Sequence, residues 1–528
     1  MLALRRPFLS TMAASGKQAP AYSSTHFFTL AAARAGSQLL QFLIIAMLAR
    51  ALGVEEFGVY GLAISIASVL AMWVAFGINY MAVRDVAADP PSAPSVLKCG
   101  LLIRMLVLLP AVFLLIPPLY YAYSGHVRLA ILVACGAIVL QVFCEFFCAI
   151  LNGLGRLTLT AASWFGYHLL MASSYAAAVM LGARLATQMF AIRLLTGGAL
   201  GLVLYLVVRH FVDKSIGCGA PALKKFAWRA LPYCLLDVGG YLFITIDSVL
   251  LSLLQTPHAL GCYQAAQRAL LAVDGLSQAV ALSILPTLSR LFATSREAWK
   301  ITAVEYVRYV VMCAQPMGIC MSLLGSPLVS LLFGSGYAEA GRVVSLFGLV
   351  VILRAANTAL SNNLMASERV SVHTRAVWLS AGVQCVACYM LVRAHGIMGA
   401  AWAAVLATLV VTTRLSWAHR SVLSAAMPAA ARLLKTILAG IVMAGTGFGA
   451  RLWLNASASF FVALGAYLLL LAVTGEVGRR ELDWLRQAIS PGNAGRAQAP
   501  VSAKRASAGA AFTLETNGAT ERPPAGLR

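Results

Sequence analysis

LPYCLLDVGGYLFITIDSVLLSLLQ (residues 231–255), followed directly by TPHALGCYQAAQRALLAVDGLSQAVALSILPTLSRL (256–291), is the stretch on which the fold reading turns. Each segment is long enough to cross a hydrocarbon core of roughly 30 Å as a helix. Between them they nevertheless hold Asp237, Asp247, Arg268 and Asp274. At about 100° per residue, Gln264, Gln267, Arg268, Asp274, Gly275 and Gln278 fall within an arc of roughly 120°, whereas Leu270, Val273, Val280 and Leu282 lie outside it. A charge at the centre of a membrane helix costs at least about 2.5–3.5 kcal/mol, so this polar face must meet protein or water rather than lipid. Two readings compete: an internal salt bridge of Arg268 with Asp274 or Asp247 that fixes packing, or an arginine facing a hydrophilic transport path.

Composition sets the class. The 528 residues are 60% hydrophobic and 11% charged, with a mean hydropathy of +0.83. A soluble domain carries about 25% charged residues, so the chain is read as a polytopic membrane protein. The net charge of +22 would suggest nucleic acid in a soluble chain, but in a membrane protein it is first tested against the excess of Lys and Arg in cytoplasmic loops. The eleven cysteines lie mostly inside apolar segments, and the close pair Cys385 and Cys388 has no second pair or clustered His to complete a ligand set. They are read as packing residues, and neither a metal nor a cofactor is expected.

About fourteen apolar spans are expected, near 28–49, 59–78, 97–120, 128–151, 158–181, 186–208, 231–254, 263–288, 306–332, 343–365, 373–393, 397–417, 433–453 and 457–474. The basic segment 209–230 divides them. The organisation read from this is a basic cytoplasmic tail (1–27), an amino-terminal lobe of six spans (28–208), a cytoplasmic linker (209–230), a carboxy-terminal lobe of six (231–417), two further spans (418–474), a surface amphipathic helix (475–490) and a disordered cytoplasmic tail (491–528). Placing the amino terminus and every second loop on one side gathers about 29 of the 40 Lys and Arg there, against about 6 opposite and about 5 within spans. Both termini are therefore expected in the cytoplasm. That tally absorbs most of the net charge, and no nucleic acid is needed as a partner. Gly58-Val59-Tyr60 opens the second span and Gly261-Cys262-Tyr263 the eighth, as two parallel copies about an axis along the membrane normal would.

Other spans also carry interior polar groups. Arg34, Gln38 and Gln41 share one face of the first span, and Arg354, Asn357, Thr358 and Ser361 one face of the tenth. Arg104, Glu145, His168 and Arg193 occupy the third to sixth. Arg104 and Arg193, closer to span ends, are read as packing or snorkelling residues. Arg34, Arg268 and Arg354 have polar neighbours on their own faces and are the candidates for a lined path.

ARALGVEEFGVYGLAISIASVLAMWVAFGINYMAVRDVA (Ala49 to Ala87), the run from Leu231 to Phe292, LVSLLFGSGYAEA (Leu328 to Ala340) and GIMGAAWAAVLAT (Gly396 to Thr408) together resemble the bacterial polysaccharide flippases, the Wzx type of the MOP exporter superfamily. The resemblance covers spans one to twelve. It implies an all-α fold of fourteen transmembrane helices with two six-helix lobes around a central cavity plus two carboxy-terminal helices. It further implies alternating access in the bacterial inner membrane and a polyprenyl-pyrophosphate-linked oligosaccharide as cargo for O-antigen, capsule or exopolysaccharide synthesis. A glycan polymerase and a chain-length regulator would then be partners. Arg268, in AAQRAL, sits where the related lipid II flippases place an arginine in the eighth helix, and Arg34 resembles a second cavity arginine of that group. The basic residue those proteins carry in the second helix has no counterpart, which favours the oligosaccharide branch.

On this reading Arg268 and Arg34, with Arg354 third, bind pyrophosphate. Gln38, Gln41, Gln264, Gln267, Asn357 and Ser361 meet sugar hydroxyls, and Asp274, Asp247 or Glu145 accepts the H⁺ or Na⁺ that couples the cycle. Two other classes stay open: a multidrug or cation antiporter of the same superfamily, and a membrane glycan polymerase or ligase, for which no outside loop is long enough to carry a catalytic centre.

Overall fold

In the computed structural model, residues 24–123, 125–212, 220–367 and 369–476 are described. Thr29–Glu476 forms one compact unit. The expected basic tail lies almost wholly outside the described residues, as do most of the surface helix and all of the carboxy-terminal tail.

Every regular element among the described residues is helical. Ser24–Ala75 divides at Gly53 (φ 78°) into α1 (24–52) and α2 (54–75). Then follow a short α3 (Ile78–Ala88), α4 (Ala93–Ala122), α5 (Gly125–Gly153), α6 (Leu157–Met180), α7 (Ala186–Phe211), α8 (Ala220–Leu254), α9 (Pro257–Thr294), α10 (Arg296–Phe333) and α11 (Ala338–Ala366). Val370–Ala418 divides at Gly396 (φ 58°) into α12 (370–395) and α13 (397–418). A short α14 (Arg420–Ala425), α15 (Met427–Ala450) and α16 (Ala456–Val473) complete the chain. At both breaks the chain reverses through a left-handed residue, which glycine adopts without the cost a Cβ imposes.

Ten helices are apolar and long enough to cross a membrane, and two of these contain the glycine breaks, which makes twelve crossings. Helices α6 and α9 also have the length, and with them the long helices number fourteen among the described residues. This is the expected architecture: two lobes of six helices, α1–α7 and α8–α13, with the short α3 interposed, and two added helices at the end. Helices α15 and α16 dock on α10, where Tyr467 Oη donates to Gln315 Oε1 and to the Met312 carbonyl, both at 2.9 Å. Below that contact Arg308, 1% exposed, is held by Glu305 at 2.7 Å and Glu476 at 2.5 Å.

The lobes meet where α2 crosses α9. A Cβ at Gly58 would lie 2.6 Å from the Pro257 carbonyl oxygen, and one at Gly261 only 2.0 Å from the Val54 carbonyl oxygen. The offset that carries Gly58 onto Gly261 also carries Val54 onto Pro257. The two contacts are therefore reciprocal, as a pseudo-two-fold interface requires. Around them Tyr337 Oη donates to the Ala49 carbonyl at 2.8 Å, and Phe57 meets Tyr337 edge-on with centroids 6.0 Å apart. Arg184 Nη1 reaches the Ala51 carbonyl at 2.9 Å. The ends of the helices joined at residues 53, 181–185, 334–337 and 396 lie on this face, and it is sealed.

Gly261→Ala cannot be accommodated without parting α9 from the backbone at Val54. Melting of the purified protein should report a loss of about 1–3 kcal/mol, the usual scale of overpacking. Gly240→Ala, where no atom lies within 4 Å of the added Cβ, should cost nothing, and equal melting of the two variants would remove the close approach from the account.

Candidate functional site

Helix α9 changes character along its length. Residues 260–267 are all buried in the seal, and Arg268, the next position, is half-buried. Gln264 is fully buried; its Nε2 donates to Ser65 Oγ at 3.4 Å, and its side chain lies over Gly61. It belongs to the lobe contact rather than to a lined path. The offset that relates Gly58 to Gly261 also relates Ser65 to Arg268, so the guanidinium projects next to the pseudo-axis, immediately past the seal.

Among the described residues no carboxylate lies within 4.0 Å of Arg268. Its electrostatic neighbours are Tyr60 on α2 and a second cation, Arg193 on α7. Arg193 has no carboxylate partner among the described residues either. Its Nη2 donates to Gln141 Oε1 at 2.6 Å, and Gln141 Nε2 donates onward to Glu145 Oε1 at 3.1 Å. Tyr60, Tyr167 and Tyr175 surround it, and Tyr60 is held flat on Phe190 with centroids 4.7 Å apart. Two guanidiniums thus share one tyrosine-lined wall, with Glu145, one glutamine away from Arg193, as the counter-charge that acts on the pair. Like charges repel strongly where water is scarce, so this arrangement favours an anion between them.

Arg193, read as a packing or snorkelling residue, lies two turns into α7 and does pack through Gln141, but it also stands beside Arg268. Arg104 does pack. It is fully buried, donates to the Val142 carbonyl and Asn79 Oδ1, each at 2.7 Å, and lies 4.4 Å over the Phe146 ring.

The carboxy-terminal lobe holds a second polar cluster. Arg354 Nη2 sits 3.0 Å from Asp274 Oδ2. The salt bridge weighed for Arg268 is therefore made by Arg354, whose charge is already compensated. Asp247 is 4% exposed and accepts from Tyr263 Oη at 2.5 Å, the Ser248 N–H at 2.6 Å and Gln267 Nε2 at 3.5 Å. Gln267 also donates to the Ile244 carbonyl at 3.0 Å. Asp247, Gln267, Arg354, Gln384 and Thr408 line a cavity of ≈ 20 Å³, about the space of one water or small ion. Gln384 Oε1 is buried there with no partner. Gln384 is not among the candidates read from the sequence, where Ser380, one turn away, is its one polar neighbour on that face of α12.

Of the remaining candidates, Gln41 is half-buried, Asn357 has a buried Oδ1 without a partner, and Ser361 Oγ lies 3.1 Å from His373 Nδ1. The side chains of Arg34 and Gln38 lie outside the described residues. Arg268, Arg193 and Glu145 thus form one group, and Asp247, Gln267, Asp274 and Arg354 another.

The two kinds of arginine should separate by stability. Arg354→Ala leaves Asp274 buried without its partner and should cost on the order of 2–4 kcal/mol, with Arg354→Met combined with Asp274→Leu recovering most of the loss. Arg268→Met, which removes no ion pair, should leave melting unchanged. An equal loss at both positions would contradict the distinction.

The sequence profile of a family described as polysaccharide biosynthesis protein matches residues 25–292. Over 455 residues the chain is 23% identical to the probable low-salt glycan biosynthesis flippase Agl15 of Haloferax volcanii, covering 82% of this chain and 91% of that protein. In structure it is similar to the lipid II flippase MurJ in an inward closed conformation, with a TM-score of 0.69 at 14% identity over 86% of this chain and 100% of the other. A MOP superfamily transporter from Pyrococcus furiosus gives 0.51 at 15% identity over 75% and 95%. These likenesses fix the fold as that of the MOP superfamily. With more than half of its length matched by the family's profile, the chain belongs to the polysaccharide biosynthesis protein family.

Proposed function

We propose that the protein is a flippase that carries a polyprenyl-pyrophosphate-linked oligosaccharide from the cytoplasmic to the outer leaflet of a bacterial inner membrane. The observation that carries this reading is the pair Arg268 and Arg193, two guanidiniums beside the lobe axis, neither of which makes a direct ion pair with a carboxylate among the described residues. Moving a pyrophosphate and several sugars through hydrocarbon strips hydration from charges and hydroxyls, at several kcal/mol for each group left unsatisfied. Guanidinium forks replace the water on phosphate oxygens, and the prenyl chain stays in lipid.

The sealed face, carrying the connections at 53 and 396, is assigned to the periplasm, and the basic loops and both termini to the cytoplasm. The lobes then stand open towards the leaflet where the cargo is made. We assign Arg34, on the first helix, the role of a further phosphate ligand, and Arg354 contributes its charge only when Asp274 releases it. Gln41 and Asn357 are assigned to sugar hydroxyls. Agl15 is named a glycan biosynthesis flippase and MurJ a lipid II flippase; those names support the class of cargo. Delivery of O-antigen, capsule or exopolysaccharide units to a polymerase and a chain-length regulator is the pathway in which we place it.

For coupling, Asp247 is the favoured acceptor of H⁺ or Na⁺. Its cavity holds one small guest, and the unpartnered Gln384 Oε1 beside it is a ready ligand for a cation or acceptor for a donor. Tyr263 lies one residue from Cys262 and Gln264 in the seal, so a change at Asp247 is felt there directly.

In liposomes containing a labelled polyprenyl-pyrophosphate saccharide, Arg268→Ala and Arg193→Ala should each slow flipping by about 10–100-fold, the value of a charge-assisted hydrogen bond. Arg209→Ala, at the exposed end of α7, serves as control. Full transport by both inserted variants would exclude the assignment. Asp247→Asn should flip at a basal rate that no longer responds to an imposed H⁺ or Na⁺ gradient; a preserved response would move coupling elsewhere.

A further inference from the structure

We propose that the sealed face carries a divalent-metal site of the zinc class, built from His258, Cys262 and Glu339. His258 and Cys262 are one helical turn apart at the start of α9, on the same face, and Glu339 stands in the first turn of α11. Their donor atoms, an imidazole nitrogen, the thiol sulfur and a carboxylate oxygen, all lie within 4.8 Å of one another. Donors of a tetrahedral zinc ion at about 2.0–2.3 Å stand roughly 3.4–3.7 Å apart, so rotamer adjustment of about 1 Å completes the set. The donor types match as well: one nitrogen, one sulfur and one carboxylate suit a borderline cation, and three protein ligands leave a fourth position for water.

The surroundings support binding. His258 and Glu339 are exposed and hold no other hydrogen bond or ion pair among the described residues, whereas Cys262 is buried behind them. The Ala340 N–H, in the first turn of α11, points at Cys262 Sγ. The thiol proton leaves to solvent as the metal–sulfur bond forms. Glu339 also borders a cavity of ≈ 260 Å³ lined by Gln255, Arg342 and His395, which gives the ion a route from the face. Arg342 makes no salt bridge with Glu339, so the carboxylate stays available. Cys262 adjoins Gly261, the residue that seats α9 against Val54, so an ion here ties α9 to α11 at the lobe contact. The site is independent of the cargo and stands whether or not the protein is a flippase.

The full chain, purified with a tag free of histidine, is titrated with Co²⁺ and then with Zn²⁺ in detergent. One Co²⁺ per chain should bind with a thiolate-to-cobalt charge-transfer band, and Zn²⁺ should displace it. Cys262→Ser should abolish the band. His258→Ala and Glu339→Gln, both at exposed positions and so harmless to folding, should weaken binding on the order of tenfold or more, the scale seen even for residues one shell further out. Absence of the band, or undiminished affinity in both exposed variants, overturns the site.

Discussion

An arginine at bilayer depth with no counter-charge is the constraint on which the rest of this structure depends. A guanidinium cannot be left in hydrocarbon, and in dry protein it needs a carboxylate. Arg268 has neither among the described residues. The fold answers by seating it at the edge of the lobe contact, where α9 passes from residues buried in the seal to half-buried ones. Arg193 adds a second positive charge from the other lobe. Such a pair is costly in an empty cavity and favourable around a pyrophosphate, which is how a binding site differs from a structural ion pair.

The contrast with the other arginines supports this. Arg104, Arg308 and Arg354 are each accounted for locally: by carbonyl and amide oxygens with an aromatic face, by two glutamates, and by Asp274. They hold helices together. The seal itself rests on glycine, since the approach of α2 to α9 leaves no space for a side chain at Gly58 or Gly261. Its reciprocity places two like helices face to face at the pseudo-axis, an arrangement that can rock without losing register. Ion capture at Asp247 would act through Tyr263, which α9 carries inside that same contact.

Much of this was legible in the chain. Helix number and the polar face of α9 follow from hydropathy and periodicity, because lipid enforces both. The Gly-x-Tyr repeat pointed at the two helices that form the seal. Arg268 was legible because its own face is polar for several turns. Arg193 was not: its neighbours on α7 are apolar, and its polar contacts, Gln141 and Tyr60, come from other helices. The pairing of Arg354 with Asp274 was equally hidden, since sequence places both charges in the cavity without saying how far apart they stand. Gln264, polar in sequence, proved to be buried lobe contact. The donors His258, Cys262 and Glu339 are assembled only by the packing of α9 on α11.

The most direct measurement of the central claim is native mass spectrometry of the full chain in nanodiscs with polyprenyl pyrophosphate, polyprenyl monophosphate and the free alcohol as competing ligands. The account predicts retention in the order pyrophosphate, monophosphate, alcohol, and loss of that order in a variant carrying both Arg268→Ala and Arg193→Ala. Equal retention of all three lipids by the unaltered protein, or the same order in the double variant, would contradict it.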